Sequence, residues 1–328
     1  MRAPLPAARP APRRRVRRWL HGPELPLADP GPTARTVRLP DGRLLGWDDL
    51  GDPDGVPVLW FHGFGSTRII RHPDDGIARR LGVRLLAVDR PGIGLSSPRP
   101  GRALADFPGD LARMADAAGL GRFAILAWSG GGPYALACAS ALGERVLQVG
   151  LVSAAAPIAG PDTGPYATGF HHAARGAAGV APWIVRLAMW RWARGQRRDP
   201  AAQLDDAIAG MVAADQAILA DPRFRDVMIR NAAELYRQGG RGLYDEALVM
   251  ARDWGFRFSS VRVPVRIWHG ELDQAVPVAM GRHLAGTLPE AEATFLPGEA
   301  HHIFLDRWEE ILGEVAERSR ARLAAGAA

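Results

Sequence analysis

Lysine is missing from this sequence, and every permanently cationic side chain is arginine. That absence excludes a Schiff-base lysine, a phosphate-loop lysine and a lysine general base. Cysteine is nearly missing too. Cys138 stands alone, so no intrachain disulfide can form, and the compartment stays open with the cytoplasm as the expectation. No uninterrupted apolar run reaches the roughly 18 residues of a membrane span. The early arginines are not followed by an apolar segment, so a secretory signal is not expected. No internal repeat recurs along the chain.

What is present begins with enough apolar material for a large core: 47% of 328 residues. The net charge of +6 suggests an anionic partner until the charge is located. Seven arginines (Arg2, Arg9, Arg13, Arg14, Arg15, Arg17, Arg18) fall within residues 1–22 with no acid among them, leaving the other 306 residues at about −1. The body is therefore near neutral, and neither a nucleic-acid partner nor stable membrane association is expected. Residues 1–32 read as a basic, disordered tail rich in proline and arginine. It is a solvated leader, the product of an upstream start codon, or an anchor to an acidic surface.

Beyond the tail, short apolar runs alternate with helical patterns, as a mostly parallel sheet covered on both faces requires. Residues 35–39 and 44–48 form an opening hairpin turned by Pro40-Asp41-Gly42. Buried strands are expected at 58–61, 85–88, 123–128, 147–152, 265–268 and 293–296. Helices are expected at about 73–81, 104–118, 133–141, 280–287 and 307–323. Most strand starts are one strand-plus-helix unit apart. The gap from Val152 to Val265 is the exception: Trp183, Ile184, Leu187 and Trp190 recur there at helical spacing. It reads as a helical insertion over 158–257, dividing a core of 33–157 and 258–328.

The stretch FAILAWSGGGPYALACA, residues 123–139, carries the chemistry. An apolar strand ends in Ser129, glycines follow, and a helix begins at once. So tight a bend pushes the serine above the sheet and demands small neighbours two residues away, here Ala127 and Gly131. The helix start also turns N–H groups and its positive dipole end toward the hydroxyl. At Ala127-Trp128-Ser129-Gly130-Gly131 the chain resembles the α/β-hydrolase superfamily, with alanine in place of the first glycine of G-x-S-x-G.

Three further stretches follow in the order that resemblance implies. Val58-Leu59-Trp60-Phe61 leads into His62-Gly63-Phe64-Gly65, where the family places half of its oxyanion hole. The backbone N–H groups of Phe64 and Gly130 would bind the oxyanion. Leu86-Ala87-Val88-Asp89 and the turn Arg90 to Ser96 match the family's next strand and glycine turn, with Asp89 structural. Late in the chain, His269-Gly270-Glu271-Leu272-Asp273 places an acid after a strand, and Gly298-Glu299-Ala300-His301 places a histidine after the next. The resemblance implies an α/β-hydrolase fold, an eight-stranded, mostly parallel sheet flanked by helices with an inserted helical cap. It also implies a triad of Ser129, Asp273 and His301, in which His301 takes the serine's proton and Asp273 orients the imidazole. Glu271 and His302 adjoin these positions, but the family spacing selects Asp273 and His301. His62 reads as a turn residue.

A serine at the elbow argues against dehalogenase and epoxide hydrolase chemistry, which use aspartate there. HGFG in place of HGGPG argues against a proline iminopeptidase. The expectation is a serine hydrolase cleaving a carboxylic ester of a small to medium apolar molecule, with no cofactor and no metal. Lactone, thioester or carbon–carbon hydrolysis, cofactor-free haloperoxidase or lyase chemistry are alternatives on the same triad, and a non-catalytic binding protein is a further one. Trp128, Trp183, Trp190 and Trp192 are candidates for lining an apolar pocket. Cys138 reads as a buried small hydrophobe. His171 and His172 lack a partnered metal-ligand spacing.

Overall fold

A computed structural model describes residues 29–166 and 169–326. The basic stretch with its seven arginines lies outside the described residues. Eight strands form one sheet: β1 (Ala34–Arg38), β2 (Leu44–Gly51), β3 (Val56–Phe61), β4 (Val83–Val88), β5 (Phe123–Trp128), β6 (Val146–Val152), β7 (Val265–Gly270) and β8 (Ala291–Leu296). Their spatial order is β1-β2-β4-β3-β5-β6-β7-β8. Only β2 runs against its neighbours, pairing antiparallel with β1 and β4. The β1–β2 hairpin turns at Gly42, whose φ of 85° suits a residue without a side chain.

The central strands β3 and β5 read as unbroken apolar runs because both faces of the sheet are covered there. On β3, Leu59 and Phe61 enter one core, while Val58 and Trp60 enter the other. On β5, Phe123, Ile125 and Ala127 alternate in the same way with Ala124, Leu126 and Trp128. Helices α1 (Gly76–Arg80), α2 (Phe107–Ala117) and α3 (Gly132–Leu142) fall between β3 and β6. Phe61 meets Phe107 of α2 edge-on at 5.5 Å. Past β7 come α10 (Val278–Thr287), α11 (Ile303–Asp306) and α12 (Trp308–Ala325). Trp308 of α12 packs against Trp60 at 4.8 Å, nearly perpendicular. Each such buried side chain contributes about 1.5–3 kcal/mol.

Two helices differ from expectation. The one expected from 73 spans only Gly76–Arg80, because the Asp74 carboxylate accepts the Gly76 N–H at 2.9 Å and forms a turn first. The one expected from 104 opens with a tighter turn, Leu104–Asp106, before α2.

Six helices lie between β6 and β7: α4 (Gly169–Val180), α5 (Pro182–Arg198), α6 (Pro200–Ala209), α7 (Ala213–Leu219), α8 (Pro222–Leu235) and α9 (Arg241–Ala251). Ala193, Leu235, Tyr236 and Leu243 from this group close around Ile93, with Phe64, Met189 and Trp192 packed alongside. Leu219, Phe224 and Val227 extend the core on the α12 face. These helices therefore rest on the turns after β3 and β4, at the carboxyl ends of the strands, where ligands bind in open α/β sheets.

Candidate active site

Ser129 directly follows β5 with φ at 53°, a left-handed conformation that a side-chain-bearing residue adopts only under local constraint. The glycines after it explain how the chain bears this. A Cβ on Gly131 would fall 2.5 Å from the Phe61 carbonyl oxygen, and one on Gly132 would fall 2.7 Å from the Ala154 Cβ. The Ala155 N–H donates to the Ser129 carbonyl at 3.1 Å and holds the bend from the β6 side. α3 starts immediately, with its N-terminal amides behind the serine.

Phe64 and Gly130 come together as expected. A Cβ on Gly130 would sit 2.8 Å from the Phe64 backbone nitrogen, so only glycine lets the two turns approach this closely. The Phe64 N–H belongs to the same peptide unit as the Gly63 carbonyl and points the opposite way in a trans peptide. That carbonyl is held twice. Arg90 Nη2 donates to it at 2.8 Å and His62 Nδ1 at 2.9 Å. Arg90 also donates to the His62 carbonyl and, through Nε, to Glu246 of α9. Its guanidinium lies over the Tyr134 ring at 4.8 Å. Burial, with the Arg90 charge beside it, pushes the His62 pKa well below the ordinary histidine value. His62 is therefore neutral, with Nδ1 carrying the proton given to Gly63 and Nε2 left to accept from Arg90 N–H at 3.5 Å.

Asp273 and His301 also meet. His301 Nδ1 lies 2.8 Å from Asp273 Oδ2. The other carboxylate oxygen accepts the Ala275 and Val276 N–H groups at 2.9 and 2.8 Å. Burial works against the Asp273 charge, but hydrogen bonds from His269 and His301 outweigh it and hold the pKa well below the carboxylate range. The loops carrying the pair are laced together. Leu272 N–H donates to Glu299 O at 2.8 Å, and a Cβ on Gly270 would fall 2.4 Å from Ala300 O.

Trp128 ties this loop to the elbow: its Nε1–H donates to the His301 carbonyl at 3.0 Å, and its ring lies 5.1 Å from the imidazole. The tryptophan is buried among His301, His302 and Phe304, so it anchors the loop rather than presenting a free apolar surface. Glu271 turns outward to Arg282 at 2.8 Å. His302 is buried, with Nδ1 3.0 Å from Asp215 Oδ1, and burial lowers its pKa. Asp89 accepts the Arg68 and Leu95 N–H groups and the Arg68 guanidinium, a structural arrangement.

The structure does not bring Trp183 and Trp190 to this site; they are 66% and 39% exposed. α5 carries apolar residues on two faces, and the inward one presents Trp192, which stacks on Phe64 at 5.8 Å. Two acids that touch the turns of this site had no signal in the sequence. Asp215 of α7 accepts the His301 and His302 N–H groups at 3.2 and 2.8 Å, and Glu246 holds Arg90. Neither acid stands in a recognisable motif. Cys138 is buried in α3, and burial raises its thiol pKa well above the ordinary value. The His171 side chain lies outside the described residues. Among the described residues, no group of three or more His, Cys, Asp or Glu is placed to hold a metal ion.

Residues 56–307 match the family model of the alpha/beta hydrolase fold. The chain belongs to this family. Among curated relatives, it is 26% identical over 274 residues to the dihydrolipoyllysine-residue acetyltransferase component of an acetoin cleaving system from Pseudomonas putida, covering 82% of this chain and 65% of that protein. It is 34% identical over 130 residues to a non-heme chloroperoxidase from Streptomyces lividans, covering 38% of this chain and 45% of that one. The chain thus spans less than two thirds of either relative. An esterase from Rhodococcus sp. ECU1013 superposes with a TM-score of 0.61 at 20% identity, over 86% of this chain and 98% of its own. That likeness shows the fold.

Proposed function

We propose that this family member is a serine hydrolase that cleaves a carboxylic ester through an acyl-enzyme on Ser129. The observation carrying this reading is the strained Ser129 directly after β5, with the Phe64 and Gly130 backbones in contact beside it and the Asp273–His301 pair hydrogen-bonded to Trp128. His301 Nε2 takes the serine proton as Oγ attacks the ester carbonyl, and Asp273 stabilises the imidazolium that forms. The N–H groups of Phe64 and Gly130 receive the oxyanion. His301 then protonates the leaving alcohol, and water repeats the sequence on the acyl-enzyme. Phe64 and Trp192 form an apolar wall beside this point, which favours a small to medium apolar acyl group.

The likeness to a chloroperoxidase supports a second reading, in which hydrogen peroxide replaces water on the same acyl-enzyme. A fluorophosphonate probe followed by peptide mass mapping tests the first reading: one adduct per chain, on Ser129. An ester panel of graded acyl length, run beside a lactone, a diketone and a peroxide-dependent halogenation assay, then sorts the reaction. Absence of an adduct on Ser129 would sink the proposal.

A further inference from the structure

α5 is apolar on the wrong side. A helix resting on a domain buries one stripe and gives the other to water in charged or polar side chains. Here the inward stripe is made by Met189, Trp192 and Ala193, which pack around Ile93. The outward stripe nevertheless carries Trp183, Ile184 and Leu187, exposed by 66%, 44% and 49%, with Trp190 beside them and Val180 just before the helix at 90%. Single exposed apolar residues need no explanation, but five on one continuous surface mark a missing partner.

The charge around this surface selects the partner. Residues 163–198 hold six arginines and no aspartate or glutamate. At 100° per residue, Arg191, Arg194 and Arg198 continue the outward stripe that Trp183, Leu187 and Trp190 begin. The helix is therefore apolar toward its N-terminal end and cationic toward its C-terminal end, along one face. The arginine-rich residues 1–22 cannot complement it, being of the same sign. A second copy packed in parallel on the same stripe would set arginine against arginine, and an antiparallel copy would set each arginine against the apolar half with no acid to pair it. What suits both halves is a surface with anionic groups outside and hydrocarbon beneath, where tryptophan settles at the boundary and arginine reaches phosphate.

We infer that the outward face of α5 docks reversibly on an anionic phospholipid surface. No span is needed, and among the described residues no helix is long and apolar enough to cross a membrane. The expectation of no stable membrane association rested on the lack of a long apolar run and on the body's average charge. The average charge of the body does not describe this face, since the chain between Asp162 and Asp199 carries no acid.

Flotation of the full chain with phosphatidylcholine vesicles, with and without phosphatidylglycerol, tests this beside the double variant I184S/L187S. The wild type is expected to float with the anionic vesicles only, and less as salt rises. The double variant, folded by circular dichroism and equally active on a soluble ester, is expected to lose partitioning by about tenfold or more. Equal flotation of both proteins would overturn the inference, since charge elsewhere would then suffice, and so would failure of the wild type to float. A wild-type dimer that the double variant dissociates in sedimentation analysis would overturn it too, by assigning the stripe to a second copy. Ser129→Ala is expected to float like the wild type, so failure of the esterase reading would leave this result standing.

Discussion

Replacing Glu246 by glutamine tests whether the inserted helices hold in place the Gly63–Phe64 turn, which the proposed mechanism uses as an oxyanion donor. Arg90 and Glu246 are both fully buried, and the Arg90 guanidinium bridges Glu246 to the His62 and Gly63 carbonyls. Glutamine keeps an oxygen for Arg90 Nε but removes the balancing charge. Removing one partner of a buried pair costs about 3–5 kcal/mol, and the retained acceptor places Glu246→Gln at about 3 kcal/mol. Less firmly held, the guanidinium lets the Gly63–Phe64 peptide rotate, and the Phe64 N–H loses its aim. Complete loss of one oxyanion donor costs about a hundredfold to a thousandfold in kcat, so a misaimed donor is expected to cost about tenfold to a hundredfold. KM should change little, because the donor acts on charge that develops in the transition state. Steady-state kinetics on p-nitrophenyl acetate, with denaturant unfolding of the same samples, separates the two effects. A folded Glu246→Gln with wild-type kcat and reduced stability would refute the coupling and leave the pair with a purely structural role.

Gly130→Ala should reduce kcat by about a hundredfold, because its Cβ would fall 2.8 Å from the Phe64 nitrogen and force the two oxyanion amides apart; an alanine variant with normal kcat would remove Gly130 and Phe64 from that role. His301→Ala should cost about a thousandfold or more in kcat, whereas His302→Ala, which removes a buried neighbour of Asp215, should mainly lower the unfolding midpoint; the reverse ranking would move the base by one residue. Asp273→Asn should destabilise the protein by about 2 kcal/mol at neutral pH through weakened charge-assisted hydrogen bonds. Because the folded pKa of Asp273 is depressed, its stabilisation is complete above the ordinary value of 3.8 and disappears as pH falls through the folded value. Denaturant curves of wild type and variant should therefore converge below that pH, and a constant gap on acidification would show that the carboxylate's charge is not what stabilises the loop.

The sheet was legible because a strand covered on both faces must be apolar throughout, as Phe123–Trp128 is. The elbow was legible because local sterics tie Ser129 to its neighbours, and Gly131 and Gly132 each lie where a Cβ would collide. α5 shows where such reading fails. Periodicity places Trp183 and Trp190 on one stripe and Met189 and Trp192 on another, but says nothing about which stripe meets the core. Residue type alone made Trp183, Trp190 and Trp192 equal candidates for the site, whereas tertiary packing turned Trp192 to Phe64 and left the other two outside.

The contacts with no trace in the sequence follow one design. Three acids from successive inserted helices, Asp215 of α7, Glu234 of α8 and Glu246 of α9, are each buried against a different turn of the sheet. Asp215 accepts the amides of His301 and His302, Glu234 pairs with Arg68, which holds Asp89, and Glu246 pairs with Arg90, which holds Gly63. An isolated acid in a helix has no local signature, because its meaning comes from a partner as many as 166 residues away. The energetics make the arrangement hard to dismantle. Losing the inserted helices would strip a counter-charge from Arg68 and Arg90 and the acceptor from two histidine-loop amides. Each loss is of the kind that costs several kcal/mol when the partner stays buried. On the proposed reading the inserted helices are part of the framework that aims the Phe64 and His301 turns, so substitutions at these three acids on α7, α8 or α9 are expected to disturb the chemistry as well. On α5 variation is tolerated most readily on the outward stripe, since Met189, Trp192 and Ala193 on the inward one pack with Phe64 and Ile93, and a Cβ on Gly65 would fall 2.5 Å from the Trp192 ring.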